Sequence, residues 1–192
     1  MTVDGDKYSD TINVDIAWRT VKLESSLGDM QLWLHLKTPL HRDAFLNLIE
    51  EGYFDNHTFN RVINHFVIQG GCPDLPGGFT DTSLFIEPEF HDDLKHVFGA
   101  VGGGRDDNPG KKTNACQFYI VDDPKGPYNL SKLDGDYTIF GQVIKGLSVV
   151  DLISRVNTDK DDAPIEEVIF ALSIETYTAQ EIQKLFGYNI SE

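Results

Sequence analysis

An arginine and a glutamine stand eight residues apart in an otherwise apolar, β-branched stretch of the chain. The stretch runs from Phe59 to Gly71, and the two polar residues are Arg61 and Gln69. A guanidinium group in such surroundings loses hydration, which a chain tolerates mainly where a planar, permanently charged donor is needed at a sheltered place. The pair therefore indicates a site that acts through a fixed hydrogen-bond donor.

Two strands that turn near Asn64 and His65 would bring this pair together. β-Branched and aromatic residues flank these two turn-tolerant polar residues. With the turn centred at residue 65, Arg61 and Gln69 have equal offsets and become cross-strand neighbours. The amide oxygen of Gln69 is then predicted to hold the guanidinium in one orientation.

The acidic residues, glycines and histidines elsewhere in the chain do not have the spacing of a calcium, phosphate or zinc site. Residues 159–162 do not have the ordered oxygen positions of a calcium loop. The run Gly102-Gly103-Gly104 lacks the G-K-[ST] of a phosphate loop, and glycines in a strand let a bound peptide approach the backbone. Four histidines show no zinc-ligand spacing and are predicted to be surface or turn residues. They are His57, His65, His91 and His96.

The first part of the chain predicts a β-hairpin followed by a helix. Apolar residues alternate with polar ones from residue 21 to 36, and Leu27-Gly28-Asp29 supplies the turn. Thr38 is predicted to cap a helix that Pro39 opens and Gly52 ends. The apolar face of this helix is expected to plug the open end of a barrel.

The second half predicts two more helices and a last strand. A helix is expected at about residues 146–156 and a strand at 168–177, whereas residues 70–78 and 102–112 are typical of loops. Thr178 and Glu181 form a capping box for a short amphipathic helix that ends at Gly187. This last helix either folds back on the rest of the chain or docks a partner or a second copy.

Three sequence blocks resemble those of a known family. They read F-N-R-V-I-N-H-F-V-I-Q-G-G at 59–71, T-N-A-C-Q-F-Y-I-V at 113–121 and L-D-G-D-Y-T-I-F-G-Q-V at 133–143. In this order and at these spacings they resemble the cyclophilins, which are peptidyl-prolyl cis/trans isomerases. The resemblance extends from about residue 21 to 174, and its details are most similar to bacterial members.

This resemblance implies a mainly β fold, namely an eight-stranded antiparallel barrel capped by two α-helices. The short C-terminal helix is extra, because it extends beyond the usual family length. The domain would comprise residues 13–177, after a flexible segment at 1–12 and before an extension at 178–192. It implies isomerisation of X-Pro bonds in peptides and unfolded proteins, without metal or other cofactor.

The resemblance also assigns roles to individual residues. Arg61 matches the catalytic arginine, and Gln69 matches the residue that steadies it. The substrate-binding positions are Phe66, Val67, Gly104, Arg105, Gln117, Tyr119, Leu133 and Tyr137.

Several residues depart from the family pattern. Val67 replaces a methionine, Tyr137 replaces a histidine, and Lys132 stands where many members have a tryptophan that supports cyclosporin binding. We therefore expect weak cyclosporin binding. The alternative reading is a catalytically weak proline-peptide binding or chaperone module on the same fold.

Composition limits the remaining possibilities. The chain has 192 residues, with 31 acidic and 16 basic residues and a formal charge of −15. This charge disfavours binding to nucleic acid or anionic lipid, and no apolar run predicts membrane insertion. We expect a monomer with Cys72 and Cys116 as free thiols. The compartment stays open: the cytoplasm is the default, and the cell envelope is possible if a leader was removed.

Overall fold

A computed structural model describes residues 16–75, 78–122 and 126–190 of the chain. The segment at 1–12 that the sequence predicts to be flexible lies outside these ranges. The strands are β1 (Ala17–Ser25), β2 (Gly28–Leu34), β3 (His57–Ile63), β4 (Val67–Gly71), β5 (Phe85–Ile86), β6 (Ala100–Gly103), β7 (Thr113–Asn114), β8 (Gln117–Val121), β9 (Ile139–Lys145) and β10 (Ile169–Thr178). The α-helices are α1 (Pro39–Glu50), α2 (Leu147–Ser154) and α3 (Ala179–Phe186), and short 3₁₀ turns occupy Thr82–Leu84 and Leu130–Lys132.

Within the described ranges, eight strands close into an antiparallel barrel. Their order is β1, β10, β3, β4, β8, β6, β9 and β2, with β2 returning to β1, while β5 and β7 form a separate small sheet. Because side chains alternate along each strand, one set points into the barrel and the other points out. The predicted fold class is confirmed.

Aromatic residues fill the barrel interior together with residues from two helices. Phe45 of α1 contacts Phe118 and Phe140, with ring centroids 5.4 Å apart in both cases. Val150 and Ile153 of α2 are fully buried in the same cluster. Both helices thus close the apolar interior, as their amphipathic sequence patterns predict.

The N-terminus of α1 is capped differently from the prediction. The Thr38 side chain makes no capping hydrogen bond. Instead the Glu89 carboxylate accepts hydrogen bonds from the backbone N–H groups of Leu40 and His41, each at 3.0 Å. A carboxylate at this position also interacts favourably with the helix dipole.

The C-terminal helix α3 packs on the barrel. Thr178 and Glu181 form the predicted capping box, and the helix ends at Gly187 in the left-handed conformation. Ile182 is fully buried and Phe186 contacts Tyr177 with ring centroids 5.3 Å apart, whereas Leu185 is exposed. The described chain therefore folds this helix back. None of the helices in the described ranges has the length and apolar character of a membrane span.

The prediction of two free cysteines is wrong. Cys72 and Cys116 form a disulfide with Cα atoms 5.4 Å apart, although 44 positions separate them in sequence. In the ladder between β4 and β8, Gly71 lies opposite Gln117. Cys72 follows the first of these residues and Cys116 precedes the second, so the antiparallel register brings the two thiols together.

Candidate functional site

A pocket of about 130 Å³ lies beside strands β3, β4 and β8 and is lined by residues from all three sequence blocks. Its lining includes nine of the ten predicted site residues, together with Asp74, which the sequence did not single out. The nine are Arg61, Phe66, Val67, Gln69, Gly104, Arg105, Tyr119, Leu133 and Tyr137. The structure thus brings together residues that lie up to 76 positions apart, counted from 61 to 137.

Arg61 and Gln69 are cross-strand neighbours in the β3–β4 hairpin, as the sequence predicts. The ladder shifts between Phe59 and Arg61, where Asn60 is the extra residue, and His65 in the turn has a φ of 61°. Such a bulge changes the direction of the following side chains. The hairpin therefore sets both polar side chains at the edge of the pocket.

The predicted hydrogen bond between Gln69 and the Arg61 guanidinium is not formed in the structure. Within the described residues, the partner of the guanidinium is Asp162, whose Oδ2 lies 3.7 Å from Arg61 Nε. The Arg61 side chain is 35% exposed and that of Asp162 is 44% exposed, so this ion pair is weak. Gln69 is buried, and its Nε2 has no hydrogen-bond partner in the described part of the chain.

Aromatic and aliphatic side chains form the walls of the pocket. Phe66 packs against Tyr128 with ring centroids 4.8 Å apart. Tyr119 and Tyr137 meet edge to face at 6.1 Å, and the guanidinium of Arg105 lies 4.3 Å above the Tyr137 ring. An apolar hollow with cationic groups at its rim fits a small ring joined to a polar backbone.

The tenth predicted residue, Gln117, lies beneath the pocket surface. It is buried, and a Cβ at Gly104 would lie 2.3 Å from its Oε1. Its Nε2 donates to Asp74 Oδ1 at 2.8 Å and to the Cys72 carbonyl at 3.2 Å. Gln117 therefore has the fixed partners that its apolar surroundings predict, and it fixes Asp74 at the pocket.

His96 is not the surface residue that the sequence predicted. Its side chain is 1% exposed, its Nδ1 lies 2.7 Å from Asp134 Oδ1, and its Nε2 lies 2.7 Å from the Tyr119 hydroxyl. Burial lowers the pKa of His96, against the opposing effect of Asp134, and burial also raises the pKa of Tyr119 well above its usual value. No spacing motif links these three residues, so this contact could not be predicted from the sequence.

The site and its fold agree with comparisons against known proteins. The family model described as cyclophilin type peptidyl-prolyl cis-trans isomerase/CLD matches residues 20–173. The chain belongs to this family. Its relatives include a peptidyl-prolyl cis-trans isomerase of Schizosaccharomyces pombe, 39% identical over 150 residues, which cover 76% of this chain and 92% of the relative. The human peptidyl-prolyl cis-trans isomerase-like 1 is 36% identical over 77% of this chain and 87% of its own length.

Solved structures give the same family assignment. A cyclophilin type peptidyl-prolyl cis-trans isomerase of Cryptosporidium parvum, crystallised in the presence of the dipeptide Ala-Pro, superimposes with a TM-score of 0.72. It is 28% identical, and the match covers 82% of this chain and 99% of that structure. This cyclophilin is therefore a peptidyl-prolyl cis-trans isomerase. The relatives named here are eukaryotic, so they do not support the expected likeness to bacterial members.

Proposed function

We propose that this isomerase binds the proline of an X-Pro peptide in the pocket of about 130 Å³ and loosens the imide bond with Arg61. The observation that carries the proposal is the placement, at one edge of an apolar hollow, of a partly exposed guanidinium and a buried amide whose Nε2 has no hydrogen-bond partner among the described residues. At 3.7 Å the contact with Asp162 is an ion pair rather than a hydrogen bond, so the N–H groups of Arg61 stay available to a ligand.

The energetics of the reaction match this arrangement. Resonance makes rotation about an amide bond slow, and uncatalysed prolyl isomerisation takes about 10 to 100 s. Reaching milliseconds requires roughly 10⁴-fold acceleration, or about 5.5 kcal/mol at about 1.36 kcal/mol per decade. One preorganised donor supplies about 3 to 4 kcal/mol, and holding the peptide in a reactive geometry accounts for the remainder.

Each group has a proposed role in this step. Arg61 donates to the prolyl carbonyl and toward the imide nitrogen as that nitrogen becomes pyramidal. A rotation of the buried Gln69 side chain on peptide binding would bring its Nε2 to the peptide backbone, which would give this buried donor a partner. Tyr119, Leu133 and Phe66 hold the pyrrolidine ring by apolar contact.

The remaining predicted residues shape the approach of the peptide. Gly104 lines this path and leaves room for the Gln117 side chain beneath it, and Gln117 fixes Asp74 beside the path. Val67 adds to the apolar floor, whereas Arg105 and Tyr137 form one rim. Proline-containing peptides are the expected ligands, in line with the Ala-Pro present in the Cryptosporidium crystal.

The test is exchange NMR on a blocked Ala-Pro peptide with matched arginine variants. Arg61→Ala is expected to lower kcat by roughly 10² to 10³-fold, because it removes a donor that acts on the transition state. Arg61→Lys should restore only part of the rate, since a point charge replaces a planar fork. Arg19→Ala is the control, because Arg19 is also a strand arginine paired with a partly exposed carboxylate, that of Glu50, but lies outside the pocket.

Two results would contradict the proposal. A folded Arg61→Ala variant with the wild-type rate would remove Arg61 from the mechanism. A wild-type rate equal to the uncatalysed one, with peptide binding retained, would establish the binding or chaperone module instead.

Further properties of the molecule belong to the same proposal. Lys132 is exposed next to Leu133, so we expect weak cyclosporin binding. We also expect a monomer that does not bind nucleic acid. Disulfides persist in oxidising compartments, and the bond between Cys72 and Cys116 therefore supports the cell envelope over the cytoplasm.

A further inference from the structure

A buried chain of hydrogen bonds runs from Asp134 through His96 to Tyr119. His96 is held twice by Asp134 Oδ1, which accepts from its backbone N–H at 3.1 Å and from its ring Nδ1 at 2.7 Å. Because a carboxylate only accepts, Nδ1 carries the ring proton, and Nε2 is left with a lone pair. The Tyr119 hydroxyl then donates to Nε2 over 2.7 Å.

These hydrogen bonds fix the orientation of one pocket wall, the ring of Tyr119. Tyr119 lies across β6 so closely that a Cβ at Gly102 would be 2.2 Å from its Cζ and 2.3 Å from its hydroxyl oxygen. The ring of His96 lies nearly parallel to that of Tyr119, at 12° and 6.0 Å. The tyrosine ring is therefore held at its tip by His96 and along its edge by a glycine that leaves it just enough room.

The same hydrogen-bonded residues also hold a neighbouring wall. Asp134 directly follows Leu133, and it forms a β-bridge with Tyr137, whose backbone N–H donates to the Leu133 carbonyl at 3.0 Å. Leu133 and Tyr137 both line the pocket. His96 thus connects the segment that carries these two walls to the strand that carries Tyr119.

Protonation of His96 would reverse one link of the chain. A second ring proton on Nε2 makes that nitrogen a donor, so the Tyr119 hydroxyl hydrogen must turn away although the hydroxyl is buried. The charged and titratable groups around this chain are Asp134, Lys95, Tyr137 and Arg105. Asp134 favours the charged ring, whereas burial and Lys95 oppose it, so the ring is neutral at pH 7.

We propose that His96 is a positioning residue for the proline pocket: anchored by Asp134, it holds the Tyr119 ring in the orientation that receives the pyrrolidine ring. The proposal rests on the proposed function of the pocket. A residue that acts on the pocket shape alone changes ground-state and transition-state binding together. The readout is therefore KM and peptide affinity rather than kcat.

The experiment compares His96→Gln with His41→Gln. His41 is a matched control because it is equally buried between a carboxylate, Glu89 at 2.7 Å, and a hydroxyl, Thr113 at 3.0 Å, but does not line the pocket. Kd for a blocked Ala-Pro peptide is measured by NMR titration, and kcat and KM by exchange NMR, between pH 5 and 8. The peptide has no titratable group.

His96→Gln is expected to raise KM and Kd about two- to tenfold at pH 7.5, the loss typical of one hydrogen bond, with little change in kcat. Because burial lowers the pKa of His96, wild-type kcat/KM should fall only at pH values below 6.5, the ordinary pKa of histidine. That fall should disappear in His96→Gln and persist in His41→Gln. A folded His96→Gln variant with wild-type affinity and wild-type pH profile would overturn the proposal.

Tyr119→Phe keeps the test decisive if His96→Gln fails to fold, because it removes only the hydroxyl. It should raise KM about two- to tenfold and abolish the acid fall, and a wild-type profile would overturn the proposal. Failure of the isomerase function is separately visible. A wild-type protein that binds the peptide without catalysis, but with an affinity that depends on His96, would remove the enzymatic function and keep the positioning role.

Discussion

Reducing the disulfide between Cys72 and Cys116 should lower the free energy of unfolding substantially. The bond closes a loop with a sequence separation of 44, for which chain-entropy arguments give about 4 kcal/mol at 25 °C. For a chain of this length, about 4 kcal/mol corresponds to a fall in Tm of roughly 8 to 16 °C. Both sulfur-bearing residues are buried, so reduction needs time or mild denaturant to reach them.

The assay is urea unfolding of the same protein before and after reduction, followed by tryptophan fluorescence. The double variant Cys72→Ala and Cys116→Ala is the control, and its unfolding should not respond to reductant. Alkylation in denaturant without reductant, read by mass spectrometry, should label neither cysteine. Labelling of both would refute the disulfide, and an oxidised-to-reduced difference below about 1 kcal/mol would refute the loop-closure reasoning.

Two further predictions concern the buried histidines and the pocket wall. Burial lowers the pKa of both His41 and His96, so below about pH 6.5 the unfolded chain binds more protons than the folded one, and the free energy of unfolding should fall as the pH drops from 7 to 5. Urea unfolding at several pH values in this range measures how steeply the free energy of unfolding changes with pH. This slope should become smaller in either His→Gln variant, and an unchanged slope in both variants would contradict the assignment to these histidines. Gly102→Ala should raise KM for a blocked Ala-Pro peptide about tenfold, because its Cβ would lie 2.2 Å from Tyr119 Cζ and must displace the ring. Gly110→Ala, whose nearest contact would be 3.3 Å, is the control in the same kinetic assay, and equal KM values for the two variants would count against this reasoning.

Features that depend on neighbouring residues could be predicted from the sequence. The capping box of Thr178 and Glu181 spans a single helical turn, and the Arg61 and Gln69 pairing follows from the symmetry of one hairpin. The fold class and the residues at the pocket required more, because three separate blocks had to be recognised together. Their resemblance to one known family, in this order and at these spacings, supplied that information.

Features that depend on distant residues were missed for a common physical reason. Glu89 caps α1 from 49 positions beyond Leu40, and Asp134 meets His96 across 38 positions. The disulfide likewise depends on the register of β4 against β8, which neither cysteine reveals. Local patterns fix the elements, whereas these contacts arise only after the strands have paired.

Alternate residues of strand β8 have two different roles, one in the barrel interior and one at the pocket. Phe118 and Ile120 belong to the apolar cluster inside the barrel, whereas Tyr119 and Val121 belong to a second cluster on the pocket side. Selection would act on substitutions at the first pair through the thermal stability of the protein. It would act on substitutions at the second pair through ligand specificity. Substrate specificity can therefore evolve through substitutions at alternate residues of one short strand, without changes to the barrel core.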